Sequence, residues 1–418
     1  MTFPIDAVRA RFPALAVTDA GIPRTYFDAP GGTQVCAAAI QGMVAHLESG
    51  TANAGGHFAT SVATSVATDA LSADAHAAMA DLLGGNPAEI AFGPNMTSLT
   101  FQVSRTLAQQ WQPGDEIVLS RLDHDANVTP WVLAARDREV TVRWLDFDPA
   151  TCVLRLDELP ALLNERTRLV AVGGASNALG TLNDIGAVVR CVRANAKALV
   201  FVDGVQSVPH VPTDVVALGC DLLVCSPYKM FGPHQGVLWA RPGVFDGVAP
   251  YKLRPSPVEP PAARLETGTP SFEAQGGVLG MVDYLEWLGR EVDPAANSRR
   301  ARLLAAFAAC VDYERELGTR LLDGLKQVPG LHLYGAPTMA GRVPTFAFTL
   351  AGSTPAAVVK HLAAHGIFAW SGNFYAVEPV ARLGLADAGG LVRIGLCHYS
   401  TAAEVDRLIE VLLALDRG

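Results

Sequence analysis

Charge is scarce in this chain: 17% of its 418 residues are Asp, Glu, Lys or Arg, whereas 50% are hydrophobic. That balance excludes a disordered chain and implies a compact protein with large cores, long enough for two domains. Basic residues are the rarer sign, 32 Lys plus Arg against 41 Asp plus Glu, for a net charge of -9. A nucleic-acid partner would want a basic stripe, so none is expected. A small anionic substrate stays compatible, because local arginines decide that.

The seven cysteines (36, 152, 191, 220, 225, 310, 397) are odd in number, far apart and without a CxxC pair. A disulfide framework or zinc ribbon is therefore excluded, and no metal is expected. Also missing is a basic start followed by an apolar block, so no signal peptide is expected. Residues 29–47 and 49–68 carry no Asp, Glu, Lys or Arg, yet Gly and Thr interrupt both, with Gln in the first and Ser and Asn in the second. Neither is apolar enough to span a bilayer, and a cytoplasmic protein without a membrane partner is expected.

What is present is a β-α-β rhythm over residues 80–245. Strands are predicted at 116–120, 140–144, 168–173, 198–203, 221–226 and 236–240, with helices at 156–165 and 185–196 among them. A proline-rich loop is predicted at 250–272. A long amphipathic helix follows over 298–328, closed by Pro329-Gly330. Beyond it come strands at 345–350, 366–370 and 391–397 and helices at 356–365 and 402–415, the last opened by a Thr401–Glu404 capping box. The expected fold class is α/β. A large domain (21–290) would hold a mostly parallel sheet of the seven-stranded type between helices. A smaller α+β domain (291–418) would follow it, with an N-terminal segment (1–20) packed on the small domain.

One stretch carries most of the chemistry. An apolar run ends in Asp203-Gly204-Val205-Gln206, and a second ends in Ser226-Pro227-Tyr228-Lys229. Both clusters would lie at carboxyl ends of buried parallel strands, where open α/β sheets bind ligands. An acid and a lysine meeting there suit pyridoxal phosphate: the amine condenses with the cofactor aldehyde, and the carboxylate keeps the pyridine nitrogen protonated. Gln206 could reach the cofactor's phenolic oxygen. Asn95-Met96-Thr97-Ser98 opens a helix and could hold the phosphate, although Thr and Ser cap helices everywhere. His124 could stack on the pyridine ring, although such a histidine is more often structural. Arg393, inside an apolar strand, would hold a substrate carboxylate or make an internal salt bridge.

Together these segments resemble class V aminotransferases, in the cysteine desulfurase-like branch. Residues 26–33, YFDAPGGT, resemble the family's Y-x-D-(N/S)-A-A-(T/S) loop on the substrate side of the site, which includes Gly31. Residues 123–131, DHDANVTPW, resemble E-H-H-A-N-x-x-P-W, whose first histidine stacks on the cofactor. Asn177 of SNALGT resembles an asparagine that contacts the ring's oxygen side. Asp203, Gln206, Ser226 and Lys229 match D-x-x-Q, a phosphate-binding serine and the lysine, and Tyr228 replaces the usual histidine. Residues 266–270, ETGTP, resemble E-x-G-T-P, whose second threonine (Thr269) reaches the phosphate of the neighbouring subunit. The resemblance thus implies a homodimer with shared active sites, pyridoxal phosphate as cofactor, and Arg393 on the substrate carboxylate.

One departure limits the analogy. Desulfurases of this branch carry a cysteine in a T-G-H-H-C-A type segment, whereas this chain reads Ser371-Gly372-Asn373-Phe374-Tyr375-Ala376. A phenol cannot accept sulfur as a persulfide, which leaves Cys397 and Cys36 as the candidate substitutes. The expected reaction is Cα deprotonation of an L-amino acid with C–S cleavage, and transamination or epimerisation is the alternative. A non-catalytic member should lose the lysine or its acid, and both are present. Trp370, Asn373, Phe374, Tyr375, His57 and Asn53 are the expected pocket residues.

Overall fold

The computed structural model describes residues 3–61, 67–256 and 258–415. Seven strands form the main sheet: β1 (Ile90–Gly93), β2 (Glu116–Ser120), β3 (Thr141–Leu145), β4 (Thr167–Gly173), β5 (Leu199–Asp203), β6 (Leu222–Cys225) and β7 (Gly236–Ala240). Their order is β1-β7-β6-β5-β4-β2-β3. β7 runs antiparallel to both neighbours, and the pairs from β6 across to β3 are parallel. The strands are short and, apart from the edge strand β3, rich in apolar residues and largely buried on both faces, as a parallel sheet between helices requires. Alternate residues part accordingly: Val200 and Val202 join one core, and Phe201 joins the other.

That sheet points the carboxyl ends of β1, β2, β4, β5 and β6 to one rim. Asn95, His124, Asn177, Asp203 and Lys229 all follow or end these strands, so the topology gathers residues scattered over 130 positions.

A second sheet, ordered β8 (Leu331–Tyr334), β9 (Thr345–Leu350), β11 (Leu391–Gly395), β10 (Trp370–Gly372), is antiparallel throughout. Register places Trp370 and Arg393 side by side. The expected strand at 366–370 is in fact split. Ile367–Phe368 pairs with Thr25–Tyr26, bringing the 26–33 loop to this sheet, and only Trp370–Gly372 stays in it. The expected helix at 156–165 shrinks to Leu159–Leu162, beginning just before Pro160 and ending on an extended Leu163.

Several helices escaped the sequence reading, notably α1 (Ala37–Glu48), α2 (Thr68–Leu83) and α6 (Phe272–Val292). The glycines of α6 argue against a helix locally, but they are where α1 crosses it. A Cβ on Gly280 would lie 2.1 Å from the Ala38 carbonyl oxygen, so only glycine permits that approach. The long helix α7 (Arg299–Leu325) and the closing α9 (Ala402–Leu413), with its Thr401–Glu404 capping box, form as expected. No helix among the described residues is long and apolar enough to cross a membrane.

Candidate active site

Lys229 sits in a single turn directly after β6 and is only 7% exposed. Its Nζ donates to the Pro30 carbonyl at 2.7 Å, and Gln206 Nε2 donates to the same oxygen at 2.8 Å. Gln206 therefore reaches the 26–33 loop through a carbonyl that nothing in the sequence singled out. Burial, aided by the positive charge of Arg393, lowers the Lys229 amine to about 7, while Asp203 opposes the shift. Asp203 ends β5, and one of its oxygens accepts from the Val205 amide at 2.9 Å. Burial raises its carboxyl to about 6, and Lys229 moderates the rise.

His124 lines the pocket together with Lys229. Its Nδ1 accepts the Ala126 amide at 3.0 Å, so the ring is held by its own turn. Burial first, then Lys229 and Arg393, lower it to about 3, leaving a neutral flat ring. The helix α3 (Met96–Leu107) is capped by Asn95, whose side chain accepts from the Ser98 amide at 2.8 Å. Thr97 lines the pocket and Met96 is buried beneath it. Ser226 Oγ is buried with no protein partner.

Arg393 is 5% exposed. Its Nη1 donates to the Asn177 carbonyl at 2.9 Å, and the Phe374 ring covers the guanidinium face at 4.2 Å. Nε is buried with no partner, which leaves one donor of the guanidinium unsatisfied. No salt bridge involves Arg393 among the described residues; Asp28 acts on it only through space. Asn177 Nδ2 donates to the Phe374 carbonyl at 2.9 Å, and its Oδ1 has no partner. Gly31 is a close-approach site: a Cβ there would lie 3.0 Å from Trp370 Nε1 and 3.5 Å from Arg393 Nη2.

Of these groups, Gly31, Thr97, His124, Asn177, Lys229 and Arg393 line a pocket of about 510 Å³, together with Phe101, Thr129, Pro130, Trp370, Phe374 and Tyr375. Phe374 and Tyr375 both adopt left-handed backbone angles, φ 57° and 58°. Such angles cost about 1–2 kcal/mol per non-glycine residue. The loop is held against that cost from three directions. Asp125 N–H donates to the Tyr375 carbonyl at 2.7 Å, Asn177 holds Phe374, and Asn373 Oδ1 accepts the Tyr375 amide at 3.1 Å. The Tyr375 ring leans over His124 with centroids 5.5 Å apart, while 71% of the residue is exposed.

No cysteine lines this pocket. Cys36 and Cys397 are both buried, and burial pushes the Cys36 thiol up to about 11 and raises the Cys397 thiol well above its ordinary value. Neither offers an accessible thiolate.

Met96, Asp203, Gln206 and Ser226 are buried outside the pocket lining, and four further expected residues lie at exposed positions of the same chain. Asn53 and His57 are exposed on the segment before α2, Asn373 faces solvent, and Thr269 is exposed on the 266–270 loop. That loop is anchored by Glu266, which accepts from Phe92 N–H and pairs with His76, both at 2.9 Å. The sequence reading also passed over Phe101, whose placement on the pocket side of α3 could be found from helical periodicity.

The arrangement fits the cofactor that the resemblance implies. A buried lysine near neutrality, a buried carboxylate, a neutral imidazole and the partnerless Ser226 hydroxyl offer groups for an aldehyde, a pyridine nitrogen, a ring face and a phosphate oxygen.

Residues 25–408 match the family described as aminotransferase class-V. The aminotransferase-like protein FGM3 of Gibberella zeae is 31% identical over 419 residues, covering 98% of both chains. A cysteine desulfurase of Serratia proteamaculans is 30% identical over 433 residues, covering 100% of this chain and 99% of that one. Among solved structures, the Escherichia coli cysteine desulfurase CsdA superposes with a TM-score of 0.82 at 25% identity, covering 99% of this chain and 98% of that one. The chain belongs to the class V aminotransferases, a family of pyridoxal phosphate enzymes, and to their cysteine desulfurase-like branch.

Proposed function

We propose that this enzyme cleaves a C–S bond of an L-amino acid by β-elimination, with no cysteine nucleophile. The observation that carries the reading is a pocket holding Lys229 and Arg393 but no thiol, with Tyr375 on the loop where the branch places its cysteine.

Lys229 would bind the cofactor aldehyde, with Asp203 at the pyridine nitrogen and His124 on the ring face. Thr97 and Ser226 would hold the phosphate, with Met96 beneath and Thr269 supplied by a second subunit. Gln206 and Asn177 would face the phenolic oxygen, and Tyr228 would pack beside the lysine. Bound there, pyridoxal phosphate supplies a sink for the electron pair left at Cα. The guanidinium of Arg393 takes the substrate carboxylate and fixes which Cα bond faces Lys229. Gly31 leaves room for that approach, while Trp370 and Phe374 enclose it. An amine near pH 7 is poised to take the Cα proton and return it. The Cβ–S electrons then leave with sulfur as a thiol, and hydrolysis of the remainder gives pyruvate and ammonia.

The test is incubation of purified holoenzyme with L-cysteine and its S-conjugates. Pyruvate together with a thiol or sulfide supports the reading; release of neither overturns it. The aminotransferase-like relative favours transamination as the second reading, marked by accumulation of pyridoxamine phosphate.

We further propose a homodimer with shared sites, comprising residues 21–290 and 291–418 as two domains with 1–20 packed on the second. Exposed Ile40, Val44 and Leu47 on α1 suit a covered face, and exposed Asn53, His57 and Thr269 would complete the partner's pocket. Sedimentation as a monomer at working concentration would refute this.

A further inference from the structure

Behind Asp203 lies a second carboxyl that the proposed mechanism does not use. Asp203 on β5 is in register with Gly173 on β4. Register partners of parallel strands project side chains to the same face, about 5 Å apart. Gly173 has none, and the carboxyl of Asp123 occupies that place: a Cβ on Gly173 would lie 3.1 Å from Asp123 Oδ1. Asp123 and Asp203 therefore stand side by side at one strand end, 4% and 7% exposed.

Asp123 is surrounded by donors. Asn127 Nδ2 donates to its Oδ2 at 2.7 Å, and Asn127 is itself oriented by Trp131 Nε1 at 3.0 Å. The Ser120 hydroxyl and the Gly173 backbone also act to lower the proton affinity of this carboxyl. A protonated carboxyl would set its own hydrogen against such donors, so the shell suits the anion. No cation pairs with Asp123 among the described residues, which is costly for a buried carboxylate unless a positive charge lies within reach. Burial and the Asp203 charge push it up to about 7. The groups that feel the pair are Lys229, with Arg393 beyond it, the Tyr228 hydroxyl and the Cys225 thiol next to Asp203.

We propose that Asp123 is a positioning residue whose charge raises the proton affinity of Asp203 and so keeps the cofactor's pyridine nitrogen protonated. The inference rests on the pyridoxal phosphate reading of the site. The positive charge missing from the Asp123 surroundings is then the pyridinium on the far side of Asp203. Two carboxylates in line hold that proton more tightly than one, because removing it would leave two adjacent anions unbalanced.

The experiment loads the holoenzyme with pyridoxal phosphate labelled with 15N in the ring and follows the nitrogen shift from pH 6 to 9. In Asp123→Asn, which keeps size but removes charge, deprotonation should begin about one pH unit or more lower than in the wild type. Asp123→Glu should restore the wild-type onset, and the KM for the amino acid should stay unchanged in both. A purely structural role would not move the onset in the isosteric variant and then reverse it with the longer acid. An Asp123→Asn titration that superimposes on the wild type overturns the proposal. Should that variant not fold, Asn127→Ala withdraws one donor while leaving the carboxyl, and must shift the onset in the same direction. An unshifted Asn127→Ala is equally fatal. Failure of the wild type to take up the labelled cofactor would instead sink the pyridoxal phosphate reading and is distinguishable from either result.

Discussion

The two walls of the pocket are built on opposite principles. The wall at the main-sheet rim is made of short turns after buried strands, where Lys229, Asp203 and Asp123 are held by burial and by main-chain or side-chain donors. The opposite wall, residues 370–376, is half exposed, and two of its residues sit at unfavourable φ. Its order comes from tethers: Asn177, Asp125 and an ion pair between Arg121 and Glu378 just beyond the loop. The first wall spends folding stability on perturbed ionisation, the second on backbone strain. Chemistry common to a whole family belongs on the first, and selection among reactions belongs on the second.

The largest effect should come from the rim. Lys229→Ala removes both the proposed covalent anchor and the proposed base, so turnover should fall by about 10³-fold or more. The visible band of the lysine-linked cofactor should vanish with it, and a variant that keeps this band refutes the assignment. The wild-type amine adds a pH test. Only the neutral amine attacks an aldehyde, and Lys229 loses its proton near 7 instead of at 10.5. Cofactor capture by the apoprotein should therefore be half-maximal near pH 7 and fall about tenfold for each unit below it. A midpoint near 10 would mean that the burial seen here does not govern the amine.

Between the walls stands Arg393, carried by the second sheet but aimed at the rim. Arg393→Lys keeps a charge yet loses the planar fork, and the loss of a charged hydrogen bond costs about 1.5–3 kcal/mol. The substrate KM should rise roughly 10- to 100-fold, with a smaller change in kcat. Equal loss in kcat at unchanged KM would move the residue out of the binding role.

The rim was largely legible in the sequence because a buried parallel strand announces itself as a continuous apolar run, and the polar residues that follow mark its carboxyl end. Strand 236–240 was placed to the residue, and 116–120 likewise. The second wall was not legible. Its strand was expected to be continuous at 366–370, and no local pattern indicates that Ile367–Phe368 leaves to pair with Thr25–Tyr26. Nor does sequence reveal that the Pro30 carbonyl gathers Lys229 and Gln206, or that Phe374 lies across Arg393, because both depend on contacts between distant segments. Helix α6 was hidden by the glycines that let it pack. Asp123 was visible only as a member of a motif, since its neighbour is set by register across two strands.

The smallest effect is expected at Tyr375, and it is the one that separates the walls most cleanly. If this side chain only covers His124, its hydroxyl is dispensable, whereas a nucleophile or proton donor at the cysteine position would need it. Tyr375→Phe keeps the ring, the strained backbone and the three hydrogen bonds to main-chain atoms of Phe374 and Tyr375. The rate of pyruvate release should change by less than about threefold, because removing an exposed hydroxyl disturbs neither charge nor packing. A fall of 10²-fold or more is the size associated with a lost general acid or base, and it would assign chemistry to the loop. Tyr375→Ala should then cost more than Tyr375→Phe, since it uncovers the imidazole to water while the loop keeps its path. If the two variants are equally impaired, the ring contributes nothing and the loop shapes the pocket through its backbone alone.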